Sequence, residues 1–155
     1  MGFENVVASI MLTIAIIVAA YTFLSGTGLL AETTIESYRS SAEKALERLS
    51  TSIEILNVSY SGGEIVSEVK NVGSVKFADF VGFDAFIYGV TDSGERIADY
   101  VSGNFTIVDE ITNPGIFDPH ETAIFRTSYS LQNGTYVLQI CTSNAVCDSF
   151  EFEVR

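Results

Sequence analysis

The chain has 155 residues, 47% hydrophobic and 18% charged, with a formal net charge of −12. That content excludes a wholly disordered chain, and the length allows one cored domain beside any helical segment, but not two. From Thr51 onward there are 15 acidic and 5 basic residues, a net of −10. Such a field repels nucleic-acid backbones and anionic lipid headgroups, so no nucleic-acid partner is expected. It suits a salty exterior, basic partners or bound divalent cations, and equally plain solubility.

The first element is an uncharged run of 27 residues, Asn5 to Ala31. Its core, residues 6–24, reads VVASIMLTIAIIVAAYTFL. At about 1.5 Å per residue it covers about 28 Å, close to the hydrocarbon thickness of a bilayer. Val6, Ile10, Ile14 and Val18 are its anchor or helix-packing positions. The small residues Ala8, Ser9, Ala15, Ala19 and Ala20 permit close helix contact, in lipid or in a filament core. Tyr21 and Phe23 fall near the outer end, where aromatic rings favour the interface. Residues 1–31 therefore read as a membrane-spanning or filament-core helix. A cleaved secretory signal is not expected: no positive region precedes the run, the run exceeds the usual apolar core, and no clear Ala-x-Ala follows.

Residues 32–52 continue as a helical stalk. Ile35, Tyr38, Ala42, Ala45 and Leu49 are spaced 3, 4, 3, 4, a heptad pattern. Two heptads do not sustain an isolated coiled coil, so packing on its own domain and self-association through the helix both stand open. Gly26 and Gly28 are expected to break or kink the helix between anchor and stalk. Orientation is weakly encoded. Arg39, Lys44 and Arg48 follow the apolar run at a distance and mildly favour the bulk of the chain inside.

From residue 53 the period changes to 2. Strand-like runs start at Ile53 and Glu64 and continue at Val75–Phe80, Asp84–Val90, Arg96–Tyr100, Phe105–Val108, Thr122–Ser128, Thr135–Cys141 and Ser149–Val154, separated by Gly, Asn and Pro turns. The pattern predicts an all-β immunoglobulin-like sandwich over residues 53–155, carried on the long hydrophobic and amphipathic N-terminal helix; a small barrel is the alternative. The 11 phenylalanines and 7 tyrosines are assigned mainly to its core.

No catalytic residue, cofactor or metal ligand is assigned. His120, the only histidine, sits in Asp118-Pro119-His120-Glu121 with no nucleophile elbow or His-Glu-x-x-His nearby. Asp109, Glu110, Asp118 and Glu121 have no EF-hand register. Cys141 and Cys147, with one histidine, cannot form a Cys₂His₂ or Cys₄ zinc site within one chain. They end one strand-like run and begin the next, so a disulfide across that hairpin is geometrically reasonable, with two reduced thiols as the alternative. A disulfide would argue for an oxidising compartment or a thermophile. Asn57, Asn104 and Asn133 head three Asn-x-Ser/Thr sequons, which favour an externally displayed domain.

With Met1-Gly2-Phe3, the small-residue-rich helix, the Ser/Glu/Leu stalk into STSIEILNVSYSGGEIVSEVKNVGSV and the terminal β domain, the layout resembles the archaellum accessory proteins of the FlaF and FlaG type. Their N-terminal helix is similar to that of archaellins and type IV pilins. The resemblance implies a single-pass protein of the archaeal cell membrane, its β domain in the pseudoperiplasm beneath the surface layer. It implies surface-layer protein or archaellum accessory proteins as partners, in a motility stator. It assigns no individual binding residue. The competing reading is an extracellular filament subunit with the apolar helix packed in the filament core. Precursors of such subunits carry a basic residue before a glycine ahead of that helix, whereas Gly2 here follows Met1.

Overall fold

A computed structural model of the chain describes residues 2, 3, 5–25 and 33–155. The break expected at Gly26 and Gly28, and the boundary drawn between residues 31 and 32, lie outside the described residues. The chain divides into two units, Met1–Lys44 and Ala45–Arg155.

The first unit belongs to α1, Phe3–Ser50. Both prolines, Pro114 and Pro119, lie far downstream, so nothing here removes a helical N–H. Every large apolar side chain from Val6 to Leu24 is exposed. The span Asn5–Ser25 has a mean hydropathy of 2.4 and is long and apolar enough to cross a membrane. The hydroxyls of Ser9, Thr13 and Thr22 donate to the Val6, Ser9 and Ala19 carbonyls at 2.8–2.9 Å. Those bonds lower the cost of placing hydroxyls in an apolar medium.

The second unit holds eight strands: β1 Ile53–Ser61, β2 Glu64–Asn71, β3 Asp84–Thr91, β4 Arg96–Val101, β5 Asn104–Ile107, β6 Thr122–Ser128, β7 Gly134–Cys141 and β8 Cys147–Val154. They form two four-stranded antiparallel sheets, ordered β1-β2-β6-β5 and β4-β3-β7-β8. In chain order this is the A-B-E-D and C′-C-F-G arrangement of an immunoglobulin-like sandwich. The sheets stay separate, so the barrel alternative falls away. Strand alternation builds the core: Ile65 and Val69 from β2, Ala85 and Ile87 from β3, Phe125 from β6, and Tyr136, Leu138 and Ile140 from β7 all point between the sheets. The Ile55 N–H donates to Asp148 Oδ2 at 2.7 Å, linking β1 of one sheet to β8 of the other.

One expected strand is absent. Val75–Phe80 forms only an isolated bridge, Phe77 to Phe117. The Asn71 side-chain amide donates to the Val75 carbonyl at 2.8 Å and to the Phe117 carbonyl at 3.3 Å, which also accepts from the Phe77 N–H of the bridge at 3.2 Å. The aromatic residues of this run serve the core instead. Phe77 packs on Phe83 at 5.0 Å, and Phe80 stacks on Phe105 at 4.7 Å.

Tyr136 sits near the start of β7, fully buried, and its hydroxyl donates to the Gln132 carbonyl at 2.9 Å. This is the tyrosine corner of sandwich folds, which fixes the crossing from β6 to β7. Burial pushes the Tyr136 phenol up from its ordinary pKa. Tyr60 holds the same crossing from β1: its hydroxyl accepts from the Leu131 N–H at 2.9 Å. Tyr136→Phe removes the corner bond without changing the ring, and is expected to cost about 1 kcal/mol in urea unfolding. An unchanged midpoint would show the corner to be dispensable.

Candidate interaction surfaces

The end of the sandwich that receives α1 is built from three loops: residues 72–83, 108–121 and 142–146. The β2–β3 loop grips the chain as it leaves the helix. Ser74 N donates to the Ser50 carbonyl at 2.9 Å; Val72 N and Gly73 N donate to the Ser52 carbonyl at 3.0 and 2.8 Å. A helix end leaves carbonyls without partners, and this turn supplies a donor. The approach requires a glycine: a Cβ on Gly73 would lie 2.5 Å from Ser52 N and 2.7 Å from the Ser50 oxygen. From the β7–β8 hairpin, Asn144 Nδ2 donates to Thr51 Oγ1 at 2.6 Å, while Thr51 Oγ1 donates to the Glu47 carbonyl at 2.9 Å. Cys141 and Cys147 are joined by a disulfide that closes this hairpin.

The third loop is organised by buried carboxylates. Glu121 accepts from Ile111 N at 2.7 Å and Asp118 N at 2.9 Å. Asp118 accepts from Asn113 Nδ2 at 2.7 Å through Oδ2, and its buried Oδ1 faces Lys76 Nζ at 2.9 Å. Glu110 accepts from Gly115 N at 3.0 Å, so three of the four acidic residues weighed as ion ligands are engaged by the fold. Among the described residues no three His, Cys, Asp or Glu side chains group as a metal site. His120 is exposed, at φ 72°, its backbone N–H donating to the Asn71 carbonyl at 2.7 Å.

The Lys76 ammonium, first through its hydrogen bond, holds the Asp118 carboxyl below its ordinary pKa. A depressed folded-state pKa contributes stability that is complete above the unfolded value, about 3.9 for aspartate, and is lost as pH falls through the folded value. Lys76→Met raises the folded value. The expected result is lower stability in urea unfolding at neutral pH, where the contribution is complete, and a deficit that narrows as pH falls below the unfolded value. A urea midpoint at pH 7 equal to that of the wild type would remove the Lys76–Asp118 pair from the stability of the fold.

The two outer sheet faces differ. On β1-β2-β6-β5, Asn57 and Asn104 are exposed on opposite edge strands and point outward, opposite Glu68 and Arg126. Asn133 is exposed in the turn before β7, at the end away from α1. On β4-β3-β7-β8 the outward positions include Phe86, Tyr88 and Tyr100, at 38, 39 and 58% exposure, with Val90 beside them. Phe86 meets Tyr100 edge-on at 5.6 Å. Aromatics assigned to the core thus stand on a surface. The signal was present, since residues 85–90 are apolar on both parities, and a strand that is apolar on both faces is covered on both. Tyr129 donates to Asp99 Oδ2 on β4, and that hydrogen bond pushes its phenol pKa up to about 12.

On α1, the side chains of Val6, Ile10, Ile14 and Val18 are exposed. So are those of Ile35, Tyr38, Ala42, Ala45 and Leu49. Leu49 belongs to the second unit yet is 83% exposed, so the last apolar heptad position does not pack on the sandwich.

This sandwich is similar to the archaellum periplasmic stator protein FlaG from Sulfolobus acidocaldarius, with a TM-score of 0.51 over 66% of this chain and 99% of that one, at 18% identity. A chain of the FlaF and FlaG stator complex from the same organism aligns over 64% of this chain and 87% of its own, at 18% identity and a TM-score of 0.49. No family model matches the chain. It is 50% identical over 157 aligned positions to an uncharacterized protein of Archaeoglobus fulgidus, covering 99% of this chain and 98% of that one, and it belongs to that protein's family.

Proposed function

We propose that the chain is a non-enzymatic structural component of an archaeal motility apparatus. In this reading residues 1–31 anchor it in the cell membrane, residues 32–52 act as a stalk, and residues 53–155 reach outward to hold a surface-layer or archaellum protein. The observation that carries the reading is the combination within one chain of the exposed apolar span Asn5–Ser25 with a sandwich of the stator-protein fold. The Cys141–Cys147 disulfide and the exposed sequons at Asn57, Asn104 and Asn133 support an external location for the sandwich. The tightly bonded junction at Ser50–Ser52 supports a load-bearing role, because a tether must pass force from anchor to head. Purified surface-layer protein from the same organism is expected to be retained by the immobilised chain. Retention at neither acidic nor neutral pH would sink the surface-layer role.

The second reading is a filament subunit. Its support is the exposure of heptad positions Ile35, Tyr38 and Leu49, which a neighbouring helix could cover. Electron microscopy of native surface filaments with peptide mapping of their subunits separates the two. Recovery of this chain from the filaments, and its absence from the membrane fraction, would favour the second.

A further inference from the structure

The register of the second sheet orders its outward side chains into three four-membered rows, beyond which Asp84, Cys141 and Cys147 form a shorter one with no β4 member. The first runs Arg96, Val90, Thr135, Glu153; the second Ala98, Tyr88, Val137, Glu151; the third Tyr100, Phe86, Gln139, Ser149. The centre is apolar and aromatic. One edge carries the cation Arg96, and the other carries Glu151 and Glu153. Arg96 has no ion pair among the described residues, although the other arginines of the sandwich, Arg126 and Arg155, each have one. Three strand spacings, about 14 Å, separate Arg96 from Glu153 across the face.

We propose that this face pairs with the same face of a second copy, about a two-fold axis that runs along the strands between β3 and β7. The axis exchanges the two edges and keeps each row at its own height. β4 of one copy then lies over β8 of the other. Arg96 faces the partner copy's Glu153 twice over, and Tyr88 lies against Val137 twice over. A two-fold interface needs such self-complementarity, with residue i on j and j on i. Facing sheets stand about 10 Å apart, a gap an arginine and a glutamate close together. Glu153 is already bonded to Arg155 at 2.7 Å, in an exposed pair that can accept a second cation. The same axis leaves both copies' Ser50–Ile53 junctions at one end of the dimer, as two anchors in one membrane require; that last point rests on the function proposed above. The outward sequon residues Asn57 and Asn104 stand on the opposite sheet, clear of the contact.

Charge exchange tests this. The full-length chain in detergent is expected to sediment as a dimer. Arg96→Glu and Glu153→Arg should each weaken the dimer at least about tenfold, by setting like charges opposite each other. The double variant R96E/E153R should recover it, because the pair is restored between copies but never meets within one. Both positions are exposed, so unchanged circular dichroism of the single variants serves as the folding control. A monomeric wild type, a dimer indifferent to all three variants (the result if α1 alone drove association), or a double variant no better than the singles would each overturn the proposal. The surface-layer assay is read independently, so either reading can fail without the other.

Discussion

The rest of the structure depends on how the chain is held as it leaves α1. Between Ser50 and Ile53 it passes from a helix that satisfies its own backbone to a strand that needs a neighbour. The turn at residues 72–74 bridges the change by donating three N–H groups to the Ser50 and Ser52 carbonyls, and Asn144 fixes the Thr51 side chain between them. Only after that point can β1 take its register, with Ile53 opposite Asn71. Asn71 in turn organises the loops beneath. Its backbone N–H donates to the Glu121 carbonyl, its carbonyl accepts from His120, and its amide reaches Val75 and Phe117. One buried asparagine therefore couples the helix exit to the aromatic core.

That arrangement explains why the buried carboxylates cluster at the α1 end. Loops that must carry polar backbone into a half-buried position need acceptors. Glu121 and Asp118 accept from Ile111, Thr112 and Asn113, with Lys76 balancing Asp118. Without the cation, that aspartate would be a buried charge with no counter-ion, a costly state. The chemistry is structural: every oxygen is already engaged by the fold, which leaves none directed at a ligand.

Much of the fold was legible in the sequence, because the sandwich obeys period 2 wherever one face meets the core and the other meets solvent. The β7–β8 hairpin is the clearest case, with Tyr136, Leu138 and Ile140 set against Phe150, Phe152 and Val154. The period misleads at two places. Val75–Phe80 has strand-like composition, but the Asn71 amide ties its first carbonyl to that of Phe117, a residue 46 positions beyond Asn71 that the pattern cannot relate to it. The outward aromatics on β3 were signalled by apolar residues on both parities of residues 85–90, but a residue count assigns rings to the core without saying which parity faces it. Spacing places the two cysteines on one hairpin but leaves a disulfide and two reduced thiols both open. The junction at Gly73 could not be read from spacing, since Asn-Val-Gly reads equally as an ordinary turn.

The charge distribution bears on how such a domain meets other molecules. Of its five cations, Lys76, Arg126 and Arg155 are spent within the fold or on its surface pairs. Two sandwiches of net charge −10 repel each other at long range, and salt screens that repulsion beyond about 8 Å at physiological ionic strength. A direct Arg96–Glu153 contact is shorter than that distance and is screened less. Rising salt therefore removes the opposing term faster than the attractive one. A face with an apolar centre, a cation on one edge and carboxylates on the other would associate better in a saline exterior than in dilute buffer, the reverse of an interface held by charge alone. The acidity of the domain then acts as a selector: it discourages contact through any other face while leaving this one able to close.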